Sequence, residues 1–258
     1  MKYLDFEKSW QNMNLPSEVV GIFENSGELM FPKTRDEILS LAMGGQSSGT
    51  FEVAYDIPDK GQVLEATVTK CKNGLAVNYV EPYMRRRDPD CMLIADRLET
   101  DKARYQDRFG SDFEPLRRET FDWFAGKKLI VTLLSIGELD DEYSGKGAML
   151  IAPANAGFFV GGLADLQRFI PPDQTPDNFK VSSIIYLAPT FRHTHFDGKQ
   201  IVVHNRLDNL HEVFSYNLYP GPSAKKGVYG VLLAMGEEND WPPLHGSTVQ
   251  VMTPYDNI

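Results

Sequence analysis

Cysteine is nearly absent from this chain. Cys71 and Cys91 are its only two thiols in 258 residues, and they form no CxxC pair. A disulfide framework or a thiolate zinc site needs more cysteines at closer spacing, so neither is expected. Both thiols sit in apolar or strand-like settings and are expected to be buried and free. Long apolar runs are lacking as well. No stretch reaches the roughly 18 apolar residues of a membrane helix, and Met1 to Lys8 holds no apolar run of signal-peptide length. A cytoplasmic protein without a membrane partner is therefore expected. Positive charge is also scarce: 26 Lys and Arg against 36 Asp and Glu leave a net charge of −10. Phosphate backbones and anionic bilayers need a basic face, so nucleic acid is not an expected partner. The phosphate loop Gly-x-x-x-x-Gly-Lys-Ser/Thr is missing too. Gly126-Lys127, Gly145-Lys146 and Gly198-Lys199 each lack the earlier Gly and the following hydroxyl residue. Without that backbone cradle, ATP binding by this chain alone is not expected.

What is present is an ordinary globular composition, 42% apolar and 24% charged, long enough to bury a large core. Leu15-Pro-Ser-Glu18 is a helix start leading into Val19, Val20, Ile22 and Phe23. Thr34-Arg-Asp-Glu37 is a capping box, and Gly44-Gly45 ends the helix behind it. Phe51 to Tyr55, Val63 to Lys70 and Leu75 to Val80 read as strands separated by Asp59-Lys-Gly and Lys72-Asn-Gly turns, an antiparallel meander. A strand over Cys91 to Ala95, an exposed loop over Asp101 to Ser111 and a helix over Leu116 to Phe124 follow. Leu129 to Leu134, Met149 to Ala152 and Ile184 to Ala188 are wholly apolar, as strands buried on both faces should be. The amphipathic Leu163 to Phe169 lies between the last two, and Phe158-Phe-Val-Gly-Gly is a helix entry packed in the core. Pro171 to Pro176 is linker-like but short, and no repeat or low-complexity tract occurs. The expected fold is α+β in one domain spanning 1–258, a mixed sheet with an antiparallel meander and flanking helices.

Candidate chemistry concentrates near the end. Tyr219-Pro-Gly-Pro-Ser-Ala-Lys-Lys-Gly227 delivers Lys225 and Lys226 to the start of an apolar helix, Val228 to Met235. Free N–H groups and the positive dipole end beside two ammonium groups suit an anion. Pro242-Pro-Leu-His245 then offers an imidazole able to ligate a metal or carry a proton. Taken alone, these residues also describe a solvated turn and one ordinary histidine. Arg85, Arg86 and Arg87 form a basic focus before Asp88-Pro89, and an arginine on so stiff a loop can clamp a carboxylate bidentately. His193-Thr-His195 has metal-like spacing if it lies on a strand, with Glu212 or Asp197 to complete it, although a structural role ranks above that reading.

The stretch Tyr219 to Ser247 resembles Tyr-Ala-Gly-Glu-Met-Lys-Lys-Gly, an apolar helix, then Pro-Met-His-Cys-Ser of ATP-type phosphoenolpyruvate carboxykinases. One residue is inserted before the Lys pair, and the Lys226-to-His245 separation is kept. Arg86-Arg-Asp-Pro-Asp-Cys-Met-Leu-Ile94 is similar to that family's Gly-Arg-Ser-Pro-Lys-Asp-Lys-Phe-Ile. Ile184-Ile-Tyr-Leu-Ala-Pro-Thr-Phe191 resembles its Asn-Ala-Pro-Ser-Phe strand. Over nearly its whole length the chain is also similar to uncharacterised bacterial proteins that look like remote carboxykinase relatives. The resemblance implies a carboxykinase N-terminal fold, the substrate-side half, either truncated before a C-terminal P-loop nucleotide domain or acting without one. It implies that Arg87 holds a substrate carboxylate and that Tyr219 contacts substrate, with Tyr216 an alternative. Lys225 flanks the site. Lys226 and His245 match ligands of a divalent ion, manganese or magnesium, whose third carboxylate ligand comes from the nucleotide half. A lysine ligates only as the neutral amine, which requires a depressed pKa that Lys225 next door can promote. The implied function is a lobe for a small dicarboxylate or phosphorylated acid, with phosphoryl transfer from ATP only when a nucleotide domain is joined. The alternative is a non-catalytic ligand-sensing or protein-association domain. It draws on the departures from the pattern, Pro222-Ser-Ala in place of Glu-Met and Gly246 in place of Cys.

Overall fold

A computed structural model describes residues 13, 15–80, 91–136, 146–175, 179–219 and 226–242. Three of the apolar runs become the middle of an eight-stranded mixed sheet. Its strands are β1 (Glu28–Met30), β5 (Met92–Ile94), β6 (Lys128–Ile136), β7 (Lys146–Pro153), β8 (Arg168–Ile170), β9 (Val181–Leu187), β10 (Val202–Leu207) and β11 (Leu210–Ser215). The order is β1-β6-β7-β9-β11-β10-β5, and β8 pairs with β6 beyond the end of β1. β7, β9 and β11 run parallel, while β6 and β10 run against them. A second sheet, β2 (Thr50–Ile57), β3 (Gly61–Cys71) and β4 (Gly74–Tyr79), is the expected antiparallel meander.

Period-two alternation sends the two sets of side chains to separate cores. Leu129, Val131, Leu133, Ile184, Tyr186 and Phe214 pack under α1 (Ser17–Glu24), α3 (Tyr105–Phe109) and α4 (Glu114–Phe124). Ile130, Leu134, Leu150, Ile185 and Val213 pack under α2 (Arg35–Ala42), α5 (Gly157–Leu166), α6 (Lys226–Asn239) and the meander. The α2 and α5 backbones touch: a Cβ on Gly157 would lie 2.6 Å from the Ala42 nitrogen, so only glycine fits there.

Local signals held with instructive differences. Thr34 Oγ1 accepts the Glu37 N–H at 3.2 Å, but the Glu37 carboxylate accepts the Lys33 N–H at 2.6 Å rather than that of Thr34. The extended backbone at Thr34 leaves the preceding amide within reach. The expected loop at Asp101 to Ser111 contains α3. Its Tyr105 is buried against Phe109 and Phe113 at ring distances of 4.8 and 5.1 Å, an anchor that a polar stretch conceals. Gly110, at φ +70°, ends that helix left-handed. Leu163 to Phe169 is not one amphipathic element but the end of α5 followed by β8. Cys91 is buried as expected. Cys71, at the end of β3, is exposed, which corrects the expectation for that thiol.

Candidate functional site

Because β7, β9 and β11 are parallel, their carboxyl ends emerge at one end of the sheet, the position where open α/β sheets present a crevice. β7 runs into a 3-10 turn at Ala154–Ala156, β9 into another at Pro189–His193, and β11 into Tyr216, Asn217 and Tyr219. β6 and β10 begin at this end, since Leu129 lies opposite Pro153 and Val202 opposite Ser215. α6 starts here too. A Cβ on Gly227 would sit 2.8 Å from Val213, and one on Gly230 would sit 3.4 Å from His204, with His211 next to it. The helix therefore runs back along β11 with its first turn nearer the carboxyl ends, and its positive dipole end opens toward the crevice.

The meander caps this end through specific contacts. Tyr79, at the end of β4, donates its hydroxyl to the Leu218 carbonyl at 3.0 Å and lies against the Tyr219 ring at 5.2 Å. Burial pushes the Tyr79 hydroxyl pKa up, with Tyr219 adding to it. Asn155 donates to the Ala54 carbonyl at 2.7 Å. Glu65 on β3, 1% exposed, receives Arg192 at 3.0 Å and contacts His193 Nε2 at 2.5 Å. Burial depresses the Arg192 pKa to about 10, against the pull of Glu65. Tyr55 on β2 has its hydroxyl pKa raised by burial and then by Glu65, and that hydroxyl is buried without a hydrogen-bond partner among the described residues.

Between the meander and the strand ends lies a cavity of about 270 Å³, with Tyr55, Trp123, Lys127, Asn155 and Thr190 in its wall. Lys127 stands between β6 and Gly126, whose φ of +72° turns the chain. The turn is held by hydrogen bonds from the Gly27 N–H to the Lys127 carbonyl at 2.8 Å and from the Gly126 N–H to the Asn25 carbonyl at 2.7 Å. The Lys127 ammonium then rests over the Trp123 ring, 4.4 Å from its centroid.

Of the residues singled out in the sequence, Tyr219 is 38% exposed at this end of the sheet. Lys226 is the first residue of α6, where only its backbone is described. Arg87, Lys225 and His245, with Arg85 and Arg86, lie outside the described residues. Tyr216 is fully buried and shares a hydrogen bond with Thr120 at 2.9 Å, a core role that removes it as an alternative to Tyr219. His193 and His195 are not on a strand but in a 3-10 turn and its exit. One faces Glu65 and the other Glu119 at 3.0 Å, so they share no metal. Nor does Glu212 complete such a site: Arg117 donates two bonds to it, both at 2.8 Å, and Asn205 a third at 2.7 Å. Burial opposes the Arg117 charge, yet the Glu212 hydrogen bonds outweigh it and its pKa stands above the usual arginine value. Among the described residues no group of three His, Cys, Asp or Glu is arranged to hold a metal ion.

Several residues of this region were invisible to sequence reasoning. Lys127 appeared only as a failed phosphate-loop lysine, and Trp123 only as part of a helix. Glu65 and Arg192 sit 127 positions apart, and nothing local connects them. Comparison with known proteins places residues 15–258 under the family model described as Domain of unknown function (DUF4914). No curated protein matches the chain.

Proposed function

The chain belongs to the DUF4914 family, and we propose that within it this fold serves as a ligand-binding lobe of carboxykinase type for a small dicarboxylate or phosphorylated acid. One observation carries the reading. The carboxyl ends of β7, β9 and β11, the first turn of α6 and the exposed ring of Tyr219 all lie at one end of the sheet, where a polar cavity opens under the meander. That is the place where the resemblance puts the substrate, and it is rich in donors in a chain of net charge −10. In this reading Tyr219 and Lys225 contact the acid and Arg87 clamps its carboxylate. Lys226 and His245 hold a divalent ion, manganese or magnesium, which lowers the cost of gathering negative charge. Turnover is not expected from this chain alone, and phosphoryl transfer enters only with a nucleotide-binding partner domain.

Calorimetric titration with oxaloacetate and phosphoenolpyruvate, with and without manganese, tests the proposal. Saturable binding that manganese strengthens, and that Lys226→Ala weakens, is the expected result. Absence of binding by both acids under both conditions would sink it. The alternative, a non-catalytic sensing or association domain, draws support from Arg192, which at this end of the sheet is engaged by Glu65. It predicts acid binding that is indifferent to manganese.

A further inference from the structure

Among the described residues, the cation at the cavity by the strand ends has no counter-ion. Arg35, Arg117, Lys128, Arg192 and Arg206 each meet a carboxylate at 3.0 Å or less. Lys127 does not: among the described residues no carboxylate pairs with its ammonium, which lies over the face of Trp123. An ammonium over an indole is steadied there but keeps its N–H donors for another partner. It is not simply extended into water, because the side chain is half-buried and that burial lowers its pKa. Burying an ammonium without an anion is unfavourable, and a small anion in the cavity relieves that cost. The rest of the wall suits one. Thr190 brings a hydroxyl just past the carboxyl end of β9, and Tyr55 has a hydroxyl with no hydrogen-bond partner among the described residues. Asn155, tied to Ala54, fixes the wall between them. A volume of about 270 Å³ admits a small organic acid but not a nucleotide with its base and three phosphates. Asp56 lines the same cavity yet lies beyond ion-pairing distance of Lys127, so it neither neutralises the lysine nor favours an anion.

We propose that this cavity is an anion subsite in which Lys127, steadied on Trp123 and assisted by Thr190, receives a carboxylate or phosphate group of a small acid. The ligand class rests on the function proposed above, whereas the geometry does not. The experiment uses a full-length W10F/W241F variant, which leaves Trp123 the only indole. Its fluorescence is followed during titration with inorganic phosphate, acetate and phosphoenolpyruvate, with chloride at matched ionic strength as the control. A saturable change with at least one anion is expected, roughly tenfold or more weaker in Lys127→Met, as the loss of one charge-assisted contact implies. Asp56→Asn, an exposed and mild substitution, should tighten the same titration. Should no anion change the signal beyond chloride, or should Lys127→Met respond like the parent, the subsite is overturned. Phosphoenolpyruvate binding by calorimetry that ignores Lys127 leaves the functional reading standing and removes this one. A Lys127-dependent response to phosphate, without specific binding of either organic acid, does the reverse.

Discussion

At the residue scale, buried charge is the most telling feature of this molecule. Arg117 and Glu212 form a bidentate pair, 8% and 0% exposed at the side chain, between α4 and β11. Two charges removed from water are tolerable only as a hydrogen-bonded pair, so removing one leaves the other stranded. Arg117→Met is expected to cost about 3–5 kcal/mol in denaturant unfolding, and adding Glu212→Met should recover much of it. An additive double mutant would show that the two side chains are not coupled. His204 makes a second prediction. Its Nδ1 lies 3.0 Å from His211 Nε2, and its Nε2 is buried with no partner among the described residues. Burial first, then the neighbouring His211 and Arg206, lower its pKa from 6.5 to about 3. The unfolded chain thus takes up a proton below pH 6.5 that the native state refuses until about pH 3. Its contribution to stability is complete above pH 6.5 and is lost as pH falls through that window. The parent should lose about 1.4 kcal/mol per pH unit more than His204→Gln between pH 6 and 4. Identical pH slopes for the two proteins would refute the assignment.

At the scale of elements, α6 and the meander are the parts whose docking shapes the crevice. α6 approaches the sheet through Gly227 and Gly230, and a Cβ on Gly227 would overlap Val213 at 2.8 Å. Gly227→Leu should lift the first turn of α6 and lower stability by about 1–3 kcal/mol, the usual cost of overpacking. Gly230→Ala, whose nearest neighbour would be 3.4 Å away, should stay within about 1 kcal/mol of the parent because helix propensity offsets the crowding. Thermal unfolding of both variants distinguishes them, and equal effects would mean that α6 does not dock as described. The meander is clamped by Tyr79 to Leu218. Tyr79→Phe keeps the ring against Tyr219 but leaves the carbonyl unserved, a loss of about 0.5–1.5 kcal/mol. Faster hydrogen exchange should be confined to β4 and the residues around Leu218. Unchanged exchange there would show that the clamp carries no stability.

At the scale of the whole molecule, one sheet separates two cores, and the crevice forms where the second sheet covers its carboxyl end. A small acid bound there would bridge α4, the turns before β6 and after β7 and β9, and the meander, so its binding energy would appear as global stability. At one hundred times its dissociation constant such a ligand adds about 2.7 kcal/mol. Phosphoenolpyruvate or oxaloacetate should therefore raise the unfolding temperature in a concentration-dependent way and protect the meander amides from exchange. A rise in unfolding temperature equalled by chloride at the same ionic strength would point to nonspecific screening instead.

The chain itself carried the parts that depend on neighbours in sequence. The meander, with its Asp59 and Gly61 turn at φ 63° and 70°, follows from alternation and turn chemistry. β6, β7 and β9 follow from unbroken apolar runs, α2 from its cap, and α6 from a start signal followed by apolar residues. β10 and β11 escaped because His204, Asn205, Arg206, His211 and Glu212 break any apolar pattern. Of these, Glu212 and Arg206 can lie in the sheet because partners from distant segments satisfy them: Arg117 for Glu212 and Asp96 for Arg206. The same holds for the site. The start of α6 was legible, since a helix opening behind a Pro- and Gly-rich stretch is a local event. The pairing of Glu65 with Arg192, and of the Lys127–Trp123 pair with the end of β9, was not. Those neighbours are created by strand order and direction, which bring residues more than sixty positions apart to one cavity wall, and no local periodicity encodes that proximity.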